Sequence, residues 1–145
     1  MHFCEPEIPS VYWVDCFTYK CKQCGNIYEI TLPNGNDNLA KLKEVNGTEV
    51  RWLPICGKGG YVDLLSQLFP EHSHTNTTAT TQAFIIELNN YCEQGENGNV
   101  FELDKLRHNC TTCNSRDIEI VKEIVLTNPK LTWLKISSCL INGTN

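Results

Sequence analysis

The chain has 145 residues, 41% hydrophobic and 20% charged, which allows one compact domain with a real core and excludes wholesale disorder. Twelve Lys and Arg face 17 Asp and Glu, a net charge of −5, and no apolar run nears the roughly 18 residues of a membrane-spanning helix. The opening residues, MHFCEPEIPS, have neither the basic nor the apolar region of a secretory signal, so the expected location is cytoplasmic (intracellular), away from membranes.

In chain order, residues 1–9 with Pro6 and Pro9 read as extended and loosely held. Residues 11–19 are aromatic and β-branched and predict a strand. It feeds Cys21-Lys22-Gln23-Cys24-Gly25, after which residues 27–32 predict a second strand, ended by the turn residues 33–38. Leu39, Leu42 and Val45 share a helical spacing and predict a short helix closed by Asn46-Gly47. Residues 48–55 predict a strand, with Pro54 keeping its end out of a central ladder.

Cys56-Gly57-Lys58-Gly59-Gly60 follows, and apolar residues at 61, 64, 65 and 68 predict a helix that Pro70 stops. Strand, glycine loop and helix can cradle a phosphate on backbone N–H groups, with Lys58 as counter-charge. Gly57, Lys58, Gly59 and Gly60 are therefore a candidate anion site, although no known phosphate-loop signature is present and a simple chain turn is the preferred reading. His72 and His74 sit in a polar Thr-rich loop without a partner ligand nearby, which favours a solvated loop. Thr80 or Thr81 then caps a predicted helix over 82–94, whose apolar face is Phe84, Ile85, Leu88, Tyr91 and Cys92. Residues 100–106 return as a strand to Cys110-Thr111-Thr112-Cys113-Asn114. Beyond it, 118–127 and 131–139 flank Asn128-Pro129-Lys130 and predict a hairpin; a helix over 115–126 is the alternative.

Nine cysteines are present, an odd number that a fully paired disulfide framework cannot absorb. Their spacing is more informative. In a C-x-x-C knuckle both sulfurs converge on a point about 2.3 Å from a zinc ion, and backbone N–H groups bond the thiolates. The residue after the second cysteine favours a left-handed conformation, and Gly25 and Asn114 are the two types that tolerate it best. Two knuckles, each opening into a β-prone run, resemble the zinc-ribbon superfamily over residues 16–32 and 107–141. The resemblance implies an antiparallel ribbon sheet and one tetrahedral structural Zn2+ held by Cys21, Cys24, Cys110 and Cys113. The departure is the 85 residues between Cys24 and Cys110, so the ribbon carries a large insertion. The organisation expected is one domain over 1–145, of α+β class. Its ribbon comprises 10–32 and 107–141, and the inserted α+β segment, 33–106, contributes two main helices.

Two unrelated C-x-x-C pairs, buried or redox-active, are the competing interpretation. A redox pair belongs at the start of a helix, whereas Gly25 and a β-prone run follow the first pair. Cys4, Cys16, Cys56, Cys92 and Cys139 read as small hydrophobes or terminal residues, with Cys16 a substitute ligand at most.

Residues 33–106 hold five basic and ten acidic side chains and so carry the whole net charge. An acidic insertion suits another protein as partner, in an adaptor or in an inhibitor of the immunity type. Arg107, His108, Arg116, Lys122, Lys130 and Lys135 offer a modest basic face, so a nucleic-acid-binding ribbon is the alternative, less favoured partner reading. No catalytic motif occurs, and four thiolate ligands leave zinc no open position for chemistry, so no catalytic residue is assigned.

Overall fold

The computed structural model describes residues 2–34, 38–72, 78–105 and 108–142. Expectations placed on the turn residues 35–37, on His74 in the Thr-rich loop and on Arg107 lie outside them. Among the described residues the fold is α+β, with three small antiparallel sheets and three helices.

The first sheet has β2 (Trp13–Cys21) at its centre, flanked by β3 (Ile27–Pro33) and β7 (Ile118–Thr127). A bulge where Thr18 and Tyr19 of β2 pair with Lys122 and Ile120 leaves Val121 without an opposite number. The second sheet is centred on β4 (Leu39–Glu44), between β5 (Val50–Pro54) and β6 (Phe101–Leu103). The third joins β1 (Phe3–Cys4) to β8 (Ile136–Ser137). Helices α1 (Tyr61–Leu68), α2 (Thr78–Leu88) and the short α3 (Ser138–Asn142) complete the fold.

Several local expectations give way to tertiary contacts. Residues 39–44 form β4, not a helix, although Leu, Ala, Lys and Glu favour helix locally. As the central strand, β4 is covered on both faces. Ala40 and Leu42 join one core with Leu53, Leu64, Phe84, Leu88 and Phe101, while Leu39 joins another with Val14, Trp52 and Trp133.

The hairpin expected over 118–139 does not form either. Asn128 adopts φ 50, its amide donates to the Tyr12 carbonyl, and its Oδ1 accepts from the Tyr12 amide. That clamp leaves β7 on β2 and releases residues 131–137 towards the rest of the molecule. Trp133 bridges Trp52, and Leu134, Ile136 and Ile141 enter the core beneath α1 and α2. The N-terminus is held rather than loose: β1 pairs with β8, Pro6 is buried, and the Glu7 amide donates to the Lys58 carbonyl. Helix α2 starts at Thr78 and ends at Leu88, earlier at both ends than the 82–94 expected. Asn89 ends it, donating to the carbonyls of Ile85 and Phe101 and accepting from the Phe101 amide. The strand expected over 100–106 is limited to the three residues of β6.

Candidate metal centre

The two knuckles are built alike. In the first, β2 delivers Cys21, whose amide donates to the Asn26 carbonyl, and the Gly25 amide returns to the Cys21 carbonyl at 2.9 Å. In the second, the Cys110 amide donates to the Ser115 carbonyl, and the Asn114 amide returns to the Cys110 carbonyl at 3.0 Å. Both turns close through a left-handed residue, Gly25 at φ 76 and Asn114 at φ 61, as the residue types predict. The knuckles are tied to each other by the Lys22 amide on the Asp117 carbonyl and by Asn26 Nδ2 on Thr111 Oγ1. The strand leaving each knuckle, β3 or β7, pairs with β2, so a single sheet fixes both at one end.

This brings together Cys21, Cys24, Cys110 and Cys113, whose Sγ atoms all lie within 4.8 Å of one another. Across the knuckles Cys21 and Cys113 stand 3.5 Å apart, and Cys24 and Cys110 3.6 Å. A regular tetrahedron of sulfurs about 2.3 Å from zinc has edges of about 3.8 Å, so the four thiols fit that ion. One cysteine of each knuckle is buried and one exposed, which places the centre at the rim of the sheet.

Backbone amides prepare the thiolates. The Cys24 amide holds the Cys21 thiol below its usual range, and the Cys113 amide, helped by that of Thr112, brings Cys110 down to about 6. Their partners go the other way. For Cys113 the Ser115 amide favours the thiolate, but burial and the contacts with Cys21, Cys24 and Cys110 outweigh it and push the thiol up to about 12. Cys24 is raised too, because burial and its contacts with Cys110 and Cys21 overcome the Asn26 amide. Without a cation the four sulfurs must share protons; a divalent ion removes that conflict.

An aromatic wall stands beside the centre. Tyr19 stacks on Tyr28 at 5.7 Å, and His108 meets the Tyr19 ring edge-on at 4.5 Å. Burial, followed by the charge of nearby Cys110 and Cys21, raises the Tyr28 hydroxyl. No spacing rule singles out Tyr19 and Tyr28, because their contact depends on the β2–β3 register.

The remaining cysteines do not join the cluster. Cys16 lies in the middle of β2 opposite Thr31 and Ile124, and strand alternation turns it to the face opposite Cys21. Cys92 is buried, and that burial pushes its thiol up to about 12. In the glycine loop the Gly59 amide donates to Asp63 Oδ2 at 2.8 Å, and the Gly60 amide to the Gly57 carbonyl. A Cβ on Gly60 would meet the carbonyls of Cys56 and Pro54, so close packing alone accounts for that glycine. Two amides that a bound anion would use are thus engaged inside the loop.

Comparisons with family models, with curated proteins and with solved structures return no match. The donor set itself therefore carries the assignment: four clustered cysteines compatible with binding a metal ion such as zinc. The second knuckle gives a direct check. Asn114→Gly is expected to be neutral within about 0.5 kcal/mol, whereas Asn114→Val, forced to a positive φ, should cost about 1–2 kcal/mol and weaken metal retention. Equal chelator resistance in the two variants would contradict the left-handed closure.

Proposed function

We propose that Cys21, Cys24, Cys110 and Cys113 hold one structural zinc, and that the protein is a non-enzymatic zinc ribbon acting inside the cell as a scaffold for binding another protein. The observation that carries the reading is four sulfurs all within 4.8 Å of one another, with two cross-knuckle distances of 3.5 and 3.6 Å. Four thiolates saturate zinc and leave no position for water or substrate. The ribbon assignment is supported by two knuckles with the same hydrogen bonds, each opening into a strand paired with β2.

The acidic insertion offers a narrower surface than its charge suggests. Glu44, Glu49, Asp63, Glu93 and Asp104 are all engaged internally, among them Glu49 and Glu93 on Arg51 and Asp104 on Lys41. Exposed Glu102 instead lies on a groove of about 670 Å³ between α2 and β6, where Ile86 and Val100 are 72% and 43% exposed. A partner segment presenting apolar side chains beside a cation suits that combination. An adaptor or an immunity-type inhibitor is the role this surface fits.

Elemental analysis should find about one zinc per folded chain; a metal-free, fully folded protein would overturn the metal centre. Ile86→Asp should abolish capture of a partner that the wild type and Lys130→Ala both retain. Equal capture by all three would remove the groove from the reading.

A further inference from the structure

Forming β4 as a strand has a chemical consequence. Alternation turns Ala40, Leu42 and Glu44 to one face and Leu39, Lys41 and Lys43 to the other, towards the β3-β2-β7 sheet. Between the two sheets lies a second, polar cleft of about 1320 Å³, lined by Lys41, Lys43, Lys105, His108 and Arg116. Two carboxylates, Glu29 and Asp104, share it. A cationic excess is thereby concentrated in one cleft of a chain whose net charge is −5.

The cations have different duties. Lys41 is 8% exposed, donates to the Thr31 carbonyl at 2.6 Å and pairs with Asp104 at 3.1 Å, so it braces the two sheets. Lys43, Lys105 and Arg116 have no carboxylate partner among the described residues. Hydrogen-bonding side chains line the same cleft, including Thr48 and Asn114, and the Tyr19–His108 pair stands in its wall. Unpaired cations among neutral donors suit a ligand with several anionic oxygens. Arg adds a bidentate fork and Lys a mobile point charge, the two ways in which proteins grip phosphate. The space exceeds the roughly 300–1,000 Å³ of ordinary small-molecule sites, so more than an inorganic ion fits.

We infer that this inter-sheet cleft binds a phosphate-bearing ligand through Lys43, Lys105 and Arg116. The site is separate from the α2–β6 groove and draws two of these three cations from the inserted segment. Of the basic residues that sequence reading grouped near the second knuckle, His108 and Arg116 line it, while Lys122, Lys130 and Lys135 do not.

The test uses the zinc-loaded full chain with three probes at low salt: inorganic phosphate, a mononucleotide and a labelled single-stranded ten-nucleotide DNA. Binding is read by fluorescence anisotropy and by amide shifts at Lys43 and Asn114. At least one probe should bind saturably, and Lys43→Glu and Arg116→Glu should each weaken it about tenfold or more. Lys130→Glu, outside the cleft, should leave it unchanged. If the ten-mer binds and the mononucleotide does not, the phosphate source is a strand, and each lost cation should flatten the log–log salt slope by about 0.7. The reverse preference identifies a free nucleotide. Zinc content and far-UV circular dichroism verify folding, with Lys43→Gln and Arg116→Gln as milder substitutes. No saturable binding by any probe, binding that survives both cleft variants, or equal loss in Lys130→Glu would overturn the inference.

Discussion

Stripping the metal is expected to melt the β3-β2-β7 sheet while the core beneath α1 and α2 stays folded. The two parts are stabilised differently. The core gathers Leu42, Leu53, Leu64, Phe84, Leu88, Phe101, Leu134 and Ile136, each 1% exposed or less, and none comes from the knuckles. The β3-β2-β7 sheet buries far less: β2 contributes Val14, Tyr19 and Cys21, while Ile120, Val121, Ile124 and Val125 of β7 are 41–55% exposed. Structural zinc supplies about 10–16 kcal/mol of apparent binding free energy, comparable with the about 5–15 kcal/mol that stabilises a whole domain. A sheet with so little buried apolar surface cannot replace it. Hydrogen exchange before and after chelation should show β2, β3 and β7 amides losing protection and α2 amides keeping theirs, and Cys110→Ser should reproduce the pattern. A chelator that removes one zinc yet leaves β2 and β7 protected would show that the metal is not what closes the sheet.

Acid should act in the same direction as the chelator. Zinc binds thiolates, so thiols that are protonated in the free site must release their protons on binding. Without metal at pH 7, Cys110, brought to about 6, is largely ionised, whereas Cys113, pushed to about 12, and the raised Cys24 carry protons. Binding therefore displaces at least two protons. Because the bound state holds fewer protons, zinc-derived stability is present at higher pH and lost as pH falls, with apparent affinity dropping about a hundredfold per pH unit near neutrality. Competition with a chromophoric chelator across pH 6–8 measures that slope; a flat profile would mean that all four thiols are already ionised.

The four-cysteine cluster was legible because its signal is local. Two cysteines three apart, followed by Gly25 or Asn114, describe a knuckle whose turn and ligand geometry need no distant residue. The same locality misleads at β4, where helix-favouring residues form a strand because hydrophobic cores lie on both sides of it. At Asn128-Pro129 the expected hairpin turn does not form, because the Asn128 hydrogen bonds go to Tyr12, 116 residues away, and β7 finds β2 as its partner. The inter-sheet cleft was hidden for a related reason. Lys41, Lys43, Lys105 and Arg116 meet only through the strand alternation of β4 and the placing of the second knuckle beside it. Net charge by segment does not show which carboxylates are free, and half of the ten over 33–106 serve internal contacts.

Glu44→Ala should destabilise the protein by about 1–3 kcal/mol through the loss of its hydrogen bonds. The residue is 1% exposed at the end of β4, opposite Phe101 of β6. Its Oε2 accepts from the amides of Asn97 and Asn99 at 3.1 and 3.2 Å, so the carboxylate organises the loop that leads into β6. Truncation takes the acceptor from two amides of a loop partly open to solvent, a loss of about 1–3 kcal/mol in all. Glu44→Gln keeps an acceptor oxygen and should cost markedly less. Gly95 is the complementary position: an added Cβ would overlap the Glu44 carboxyl group, so Gly95→Ala should destabilise through displacement of the same side chain. In urea unfolding these changes should move the midpoint with little effect on the slope. A Glu44→Ala variant within about 0.5 kcal/mol of wild type would show that the loop holds its form without the carboxylate. The consequence extends to the cleft, because β6 runs directly into Asp104, the partner of Lys41, and Lys105, one of the cations assigned to phosphate. If the loop loosens, the four-cysteine centre should keep any metal it binds while anion binding weakens, which separates the two sites by experiment.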